Sequence, residues 1–193
     1  NGEFYNHRVI RKDLLKKGYK FKSTSDTETL LYSWAEWGVE CIQYLKGIFA
    51  FSILDKKENK LFIARDRFGV KPLYIYQKNN TIAFSSEIKA LINISNFDSS
   101  INYESIANYL TFLWSPGTNT MYNYVKKLLP GNVVEIDIKN LQVSHHNLKN
   151  TEYFKGDYWD ISEDEWVKNI DDKLNLAVQS QMLSDAPLGF FLS

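Results

Sequence analysis

Apolar side chains recur at Val9, Ile10, Leu14 and Leu15, which predicts a helix over about residues 7–17, with Asn6 as its cap and Gly18 as its stop. Ser25-Asp26-Thr27-Glu28 has the capping-box pattern and precedes a second helical stripe of Leu30, Leu31, Trp34 and Ala35, closed by Gly38. Val39, Ile42 and Leu45 predict a short third helix. From Gly47 the period changes. Ile48 to Leu54 is a near-continuous apolar run, 55–60 is a polar turn, and Leu61 to Ala64 is a second strand, which together predict a hairpin. A further strand pair is predicted at 71–76 and 81–84, followed by a short helix over 86–92.

Tyr103, Ile106, Ala107 and Leu110 predict another helix, broken at Ser115-Pro116-Gly117, and 131–138 with 141–144 predict a last hairpin. Strand runs flanked by helices, without regular βαβ alternation, predict an α+β fold with a largely antiparallel sheet. A polar, aromatic stretch follows at 147–159, and the composition shift near 150–160 marks the best domain boundary. Beyond it, Trp166, Ile170, Leu174, Val178 and Met182 recur every four residues on a long helix whose first turn carries Glu163, Asp164 and Glu165. Ser184 to Pro187 stops that helix before a strand-like run, Leu188 to Ser193.

The chain has 193 residues, 44% apolar and 15% aromatic, too aromatic for a disordered tail and long enough for a sizeable core. Basic and acidic residues balance at 23 each, so the field that favours nucleic acid or membrane surfaces is missing. The basic residues around the first helix have no aromatic platform between them, and a solvated face accounts for them. No apolar run approaches a membrane span, and a single cysteine excludes a disulfide framework. A cytoplasmic location is expected. Asn1-Gly2-Glu3 as an opening, and an ending inside an apolar run, suggest an internal segment of a longer polypeptide.

Common catalytic constellations are mostly absent. His145-His146 is an adjacent pair on a predicted strand, so the two rings face opposite ways and suit no shared metal; neither has an acid or cysteine close in sequence. Cys41 lies among apolar helix positions and is expected to be a buried filler rather than a nucleophile. Asn1-Gly2 has two readings. One is a hairpin turn; the other is an oxyanion site, with a side-chain amide beside an unhindered backbone N–H. Glu3 next door suits a cationic group of the same substrate, and Asp26 is either a second acid for that cation or part of a helix cap. On spacing alone the turn and the cap are the simpler readings.

Several segments together carry a resemblance. Asn1-Gly2-Glu3-Phe4-Tyr5-Asn6-His7, Ser25-Asp26-Thr27-Glu28, Gly47-Ile48-Phe49-Ala50-Phe51, the run Ala64-Arg65-Asp66-Arg67-Phe68-Gly69-Val70-Lys71-Pro72-Leu73-Tyr74, and Ser85-Ser86-Glu87-Ile88-Lys89-Ala90-Leu91 resemble the glutamine amidotransferase domain of glutamine-hydrolysing asparagine synthetases. The stretch from Met182 to Ser193 resembles the opening of their synthetase domain, where the strand leads into an SGGxDSS pyrophosphate loop.

The resemblance implies an N-terminal-nucleophile hydrolase, a four-layer αββα sandwich, followed by the first helix and strand of an α/β ATP-pyrophosphatase domain. Residues 1–150 would be the amidotransferase domain with its N-terminal part missing, 151–160 a linker, and 161–193 the start of the synthetase domain. It implies glutamine hydrolysis by a cysteine at the mature N-terminus, with the released ammonia aminating an ATP-activated aspartate side chain. By matching position, Asn1 and Gly2 form the oxyanion hole, and Glu3 and Asp26 hold the glutamine α-ammonium. Phe191, Leu192 and Ser193 lie near ATP through backbone groups. Partners implied are glutamine, aspartate, and ATP with Mg²⁺, with no nucleic acid, no membrane and no protein metal ligands; a homodimer is compatible with the resemblance.

The nucleophilic cysteine, the arginine for the glutamine carboxylate and the ATP loop match nothing in the chain, so this segment alone is expected to be inactive, to bind no cofactor and to expose strand edges. Two alternatives stand beside this reading: a related amidotransferase acting on a sugar or peptide acceptor, and a non-catalytic relative that keeps the scaffold.

Overall fold

The structure is a computed structural model that describes residues 1–147, 161–184 and 186–191. It divides into two compact units, Asn1–Glu3 with Gly47–Leu148, and Phe4–Lys46 with Lys149–Ser193.

The first unit is built on two antiparallel sheets. β2 (Gly47–Asp55) and β3 (Lys60–Arg65) form the expected hairpin, with Ala50 opposite Arg65 and Asp55 opposite Lys60. On its other side β3 pairs with β7 (Asn132–Asp137), which pairs in turn with β8 (Val143–Asn147). With β1 (Gly2–Phe4) next to β2, the order is β1-β2-β3-β7-β8. The residues between β3 and β7 make the second sheet, in the order β5 (Thr81–Ser85), β4 (Tyr74–Lys78), β6 (Val125–Lys127).

Strand alternation decides how the sheets meet. Ala50, Ile63, Val134 and Ile136 project from the larger sheet into one core with Leu73 and Leu128, against which Ile75 and Ile82 of the smaller sheet pack. Each such buried aliphatic contributes about 1.5–3 kcal/mol. The opposite face of the smaller sheet presents Tyr76 and Val125 to Leu91 of α3 (Ile88–Leu91), with Ile94 and Phe97 closing the cluster. α4 (Tyr103–Phe112) follows, capped by the Asn102 side chain accepting the Ser105 N–H at 2.9 Å.

The start of β4 and the existence of β6 both differ from the sequence reading. β4 starts at Tyr74 rather than Lys71, because the Lys71 N–H and C=O are taken by Asp66 and Arg65, and Pro72 has no N–H to give a ladder. β6 has only three residues, two of them lysines, and shows no periodicity; the buried Val125 and pairing with β4 hold it.

In the second unit, α1 (His7–Lys16) and α2 (Asp26–Trp37) bury Ile10, Leu14, Leu30 and Trp34. One predicted cap is lost and the other forms in part. The Asn6 side chain makes no cap bond; it spans to Tyr44 and Lys46, donating to the carbonyl of the first and accepting the N–H of the second. Ser25 does cap α2, accepting the Thr27 N–H at 3.1 Å. Glu28 does not return to the Ser25 N–H, and accepts instead from the backbone of Lys22 and Ser23 and the Ser23 hydroxyl, each at 2.7 Å. The capping box is therefore half formed. A 3₁₀ helix covers Gly38–Tyr44.

α5 (Glu163–Gln181) starts as expected, with the Ser162 hydroxyl accepting the Glu165 N–H at 3.3 Å, and its stripe of Ile170, Leu174 and Val178 is exposed. The predicted terminal strand is not formed over Leu188–Phe191, since no described residue offers those groups a ladder; Leu192 and Ser193 lie outside the described residues, as does the predicted linker.

Candidate active site

Asn1 is tied to β2 from both backbone groups. Its nitrogen donates to the Ala50 carbonyl at 3.1 Å, and its carbonyl accepts the Ala50 N–H at 2.8 Å. The side chain is left exposed. Gly2 sits in β1 rather than in a turn, at φ +123°, a conformation that side chains rarely adopt. A Cβ there would lie 2.0 Å from the Ile48 carbonyl oxygen and 2.6 Å from the Phe49 Cα. Close approach of two backbones dictates glycine here, and the hairpin-turn reading falls. Glu3 follows, half-buried.

The stretch that Gly2 presses against is itself held from behind. Asp66, 1% exposed, donates its N–H to the Phe49 carbonyl at 2.8 Å and accepts the Phe49 N–H on Oδ2 at 3.3 Å. The same oxygen accepts the Lys71 N–H at 3.0 Å, while Oδ1 accepts from Phe68 at 3.1 Å and Val70 at 2.9 Å. Four backbone donors around one carboxylate satisfy a charge that burial would otherwise penalise. Arg65 fastens the other side of this loop, donating to the carbonyls of Lys71 and Gly69 at 2.7 Å and of Leu128 at 2.5 Å. Neither Arg65 nor Asp66 is among the residues singled out from the sequence for a role. The available signal was an Asp heading a short glycine loop, where a side-chain oxygen readily collects successive N–H groups.

Asp26 opens α2, in the second unit, whereas Asn1, Gly2 and Glu3 belong to the first. It does more than sit in a cap. Oδ2 accepts the Phe4 N–H at 3.2 Å and Oδ1 the Thr27 hydroxyl at 3.3 Å. Of the residues expected near a nucleotide, Phe191 is fully exposed, and Leu192 and Ser193 lie outside the described residues.

Cys41 is fully buried, and burial pushes its thiol up to about 12, so it holds no thiolate at neutral pH. The histidine pair does face opposite ways. His145 lines a cavity of about 440 Å³ between the two sheets, together with Ile75, Ile82, Val134 and Lys127, and His146 turns to Glu135 at 2.7 Å. The acid absent from its sequence neighbourhood arrives across the strand pair. Lys60 reaches the other Glu135 oxygen at 2.5 Å, and these partners hold that carboxyl below its usual range. None of Asn1, Gly2, Glu3 or Asp26 lines the cavity.

A profile of the glutamine amidotransferase domain matches residues 1–148. Asparagine synthetase [glutamine-hydrolyzing] 1 of Bacillus subtilis is 37% identical over the whole chain, and number 3 of the same organism is 34% identical. The chain spans 30% and 31% of the length of these two relatives. A putative asparagine synthetase [glutamine-hydrolyzing] 2 of Methanocaldococcus jannaschii is 30% identical, with 37% of its length spanned. Among solved structures, glutamine phosphoribosylpyrophosphate amidotransferase from B. subtilis superposes with a TM-score of 0.55 at 19% identity, over 78% of this chain and 28% of that one. At that identity the likeness speaks for the fold, and it agrees with two antiparallel sheets packed face to face. With the profile covering 1–148, the chain belongs to the glutamine amidotransferase domain family.

Proposed function

We propose that this chain is the amide-donor half of a glutamine-dependent asparagine synthetase, and that the site built on β1 stabilises the oxyanion formed when glutamine is attacked. The observation that carries this reading is the Asn1-Gly2 geometry. Both residues are held rigidly on β2 by backbone contacts, while the Asn1 amide stays exposed. A preorganised pair of donors, the Asn1 side-chain N–H and the Gly2 backbone N–H, costs no reorganisation as charge develops on the amide oxygen.

A thiolate from outside this chain adds to the glutamine side-chain carbonyl, its electron pair forming the new C–S bond as the C=O pair moves onto oxygen. Collapse of that oxyanion breaks the C–N bond, the –NH₂ group taking up one proton to leave as ammonia, and water then frees glutamate from the thioester. Glu3 and Asp26 hold the α-ammonium. Asp26 retains capacity for it, because a carboxylate offers about four acceptor positions and only two are committed here. Cys41 takes no part.

The relatives' names, asparagine synthetase [glutamine-hydrolyzing], support aspartate as the acceptor; its activation by ATP with Mg²⁺ is part of the proposal. The chain spans 30% and 31% of the length of the first two relatives, and that half-reaction is assigned to the remainder of such a polypeptide. Residues 1–150 then form the amidotransferase domain, in an αββα sandwich, and 161–193 begin the synthetase domain after a linker at 151–160. A cytoplasmic homodimer completes the reading.

The test uses the full-length protein with glutamine, aspartate, ATP and Mg²⁺, following glutamate and asparagine together. Asn1→Ala is expected to lower glutamine turnover by about 10²–10³-fold, the usual effect of deleting an oxyanion donor. Asparagine formed from added ammonia should continue in that variant. Undiminished glutamine turnover would remove Asn1 from the site; an absence of asparagine from wild type would exclude the acceptor.

A further inference from the structure

We infer that Asp66 is a positioning residue for glutamine hydrolysis, acting on the oxyanion site through the backbone of Phe49; the inference rests on the amidotransferase reading above. Three contacts in series support it. Asp66 grips Phe49 at both its N–H (3.3 Å) and its C=O (2.8 Å). Phe49 and Ile48 are the backbone against which Gly2 is packed so closely that no Cβ fits. Ala50, the next residue, holds both backbone groups of Asn1. The carboxylate makes the contact to the Phe49 N–H and the Asp66 backbone N–H the contact to its carbonyl, so the residue fixes the floor on which both proposed donors stand, without reaching substrate itself.

Charge is needed as well as shape. Both oxygens face only backbone N–H donors, two each. An amide of the same size turns one oxygen into a donor aimed at donors, and two of the four bonds are lost. Those on Oδ2 go to Phe49 and Lys71, so an NH₂ placed there lets β2 relax away from Gly2. Oxyanion donors act through placement at the level of tenths of an ångström, and a small retreat of this floor lowers kcat more than it weakens substrate binding.

Arg65 supplies the contrast. Its guanidinium holds the same loop at Gly69, Lys71 and Leu128 and bonds neither Ile48 nor Phe49; only its backbone faces β2, opposite Ala50, and that pairing survives a side-chain change. Loosening the loop through Arg65 should reduce stability without a matching effect on the chemistry.

In full-length protein, glutamine kcat and KM and the unfolding midpoint are measured for wild type, Asp66→Asn, Asp66→Glu and Arg65→Gln. Asp66→Asn is expected to lower kcat by about 10²-fold with KM little changed. Asp66→Glu keeps the charge and should restore part of that loss. Arg65→Gln should lower the midpoint while kcat stays within about tenfold of wild type. Wild-type kcat in Asp66→Asn overturns the inference, as does a kcat loss in Arg65→Gln equal to that of the Asp66 variants at equal midpoint. If Asp66→Asn fails to fold, Asp66→Glu decides: a lowered kcat at a wild-type midpoint supports positioning, and an unchanged kcat with a lowered midpoint refutes it. A wild-type protein that hydrolyses no glutamine overturns the amidotransferase reading itself, and this inference with it.

Discussion

The Ile48 carbonyl oxygen lies 2.0 Å from where a Cβ on Gly2 would stand. The oxygen is backbone and a Cβ is fixed in place by its own backbone, so neither can rotate away. Gly2→Ala must push β1 off β2 or abandon φ +123°, and either displaces Asn1. In the full-length protein this variant is expected to lose glutamine turnover by at least about 10²-fold. Ammonia-dependent synthesis should survive, because in the proposed reading the displaced strand serves the amide donor. Comparison of the two nitrogen sources in steady-state assays checks it.

An acid-sensitive contact lies in the first unit. Lys78 and the Ser100 backbone and hydroxyl hold the Asp98 carboxyl down at about 2, against an ordinary 3.8. A depressed carboxyl contributes stability that is complete above its unfolded value and is lost as pH falls through the folded one. The contribution should thus be full at pH 6 and fade between about pH 4 and 2. Urea unfolding of wild type and Lys78→Met at pH 6, 4 and 3 should show a gap that narrows with acidity. A constant gap would place the lysine's effect in its stem and its cation–π contact with Tyr124 at 4.6 Å instead.

Packing sets a third expectation. Ile63 is completely buried between the two sheets, whereas Leu110 on α4 is 71% exposed. Ile63→Ala should cost about 2–5 kcal/mol, since neighbours on three strands cannot close the cavity. Leu110→Ala should change stability by no more than about 0.5 kcal/mol. Paired denaturant curves distinguish them, and equal effects would contradict the packing described.

Cys41 offers a fourth check. Its thiol is buried and pushed up to about 12, so iodoacetamide should modify it only after unfolding. Cys41→Ala should leave glutamine turnover unchanged.

Much of this architecture was legible in residue patterns. The β2–β3 and β7–β8 pairs show their alternation and turns openly, and Gly18 and Gly38 mark the ends of α1 and α2 as expected. Features decided by distant partners were not legible. Asn6 reads locally as a cap, yet Tyr44 and Lys46, 38 and 40 residues away, compete for its amide. His146 finds its acid only after β7 and β8 align. At the site, Asn1-Gly2 was ambiguous because turn and strand both accept Gly at positive φ. Only the proximity of Ile48 chooses between them. Asp66 looks like one more surface charge until its four N–H partners gather round it.

Arg65 meets the Leu128 carbonyl across 63 positions of sequence. On a ribosome, β2 and β3 have long since emerged by the time that carbonyl is made. The loop that Arg65 clamps is therefore among the last parts of the first unit to set, so a nascent chain pairs β2 with β3 before the far end of that hairpin is fastened.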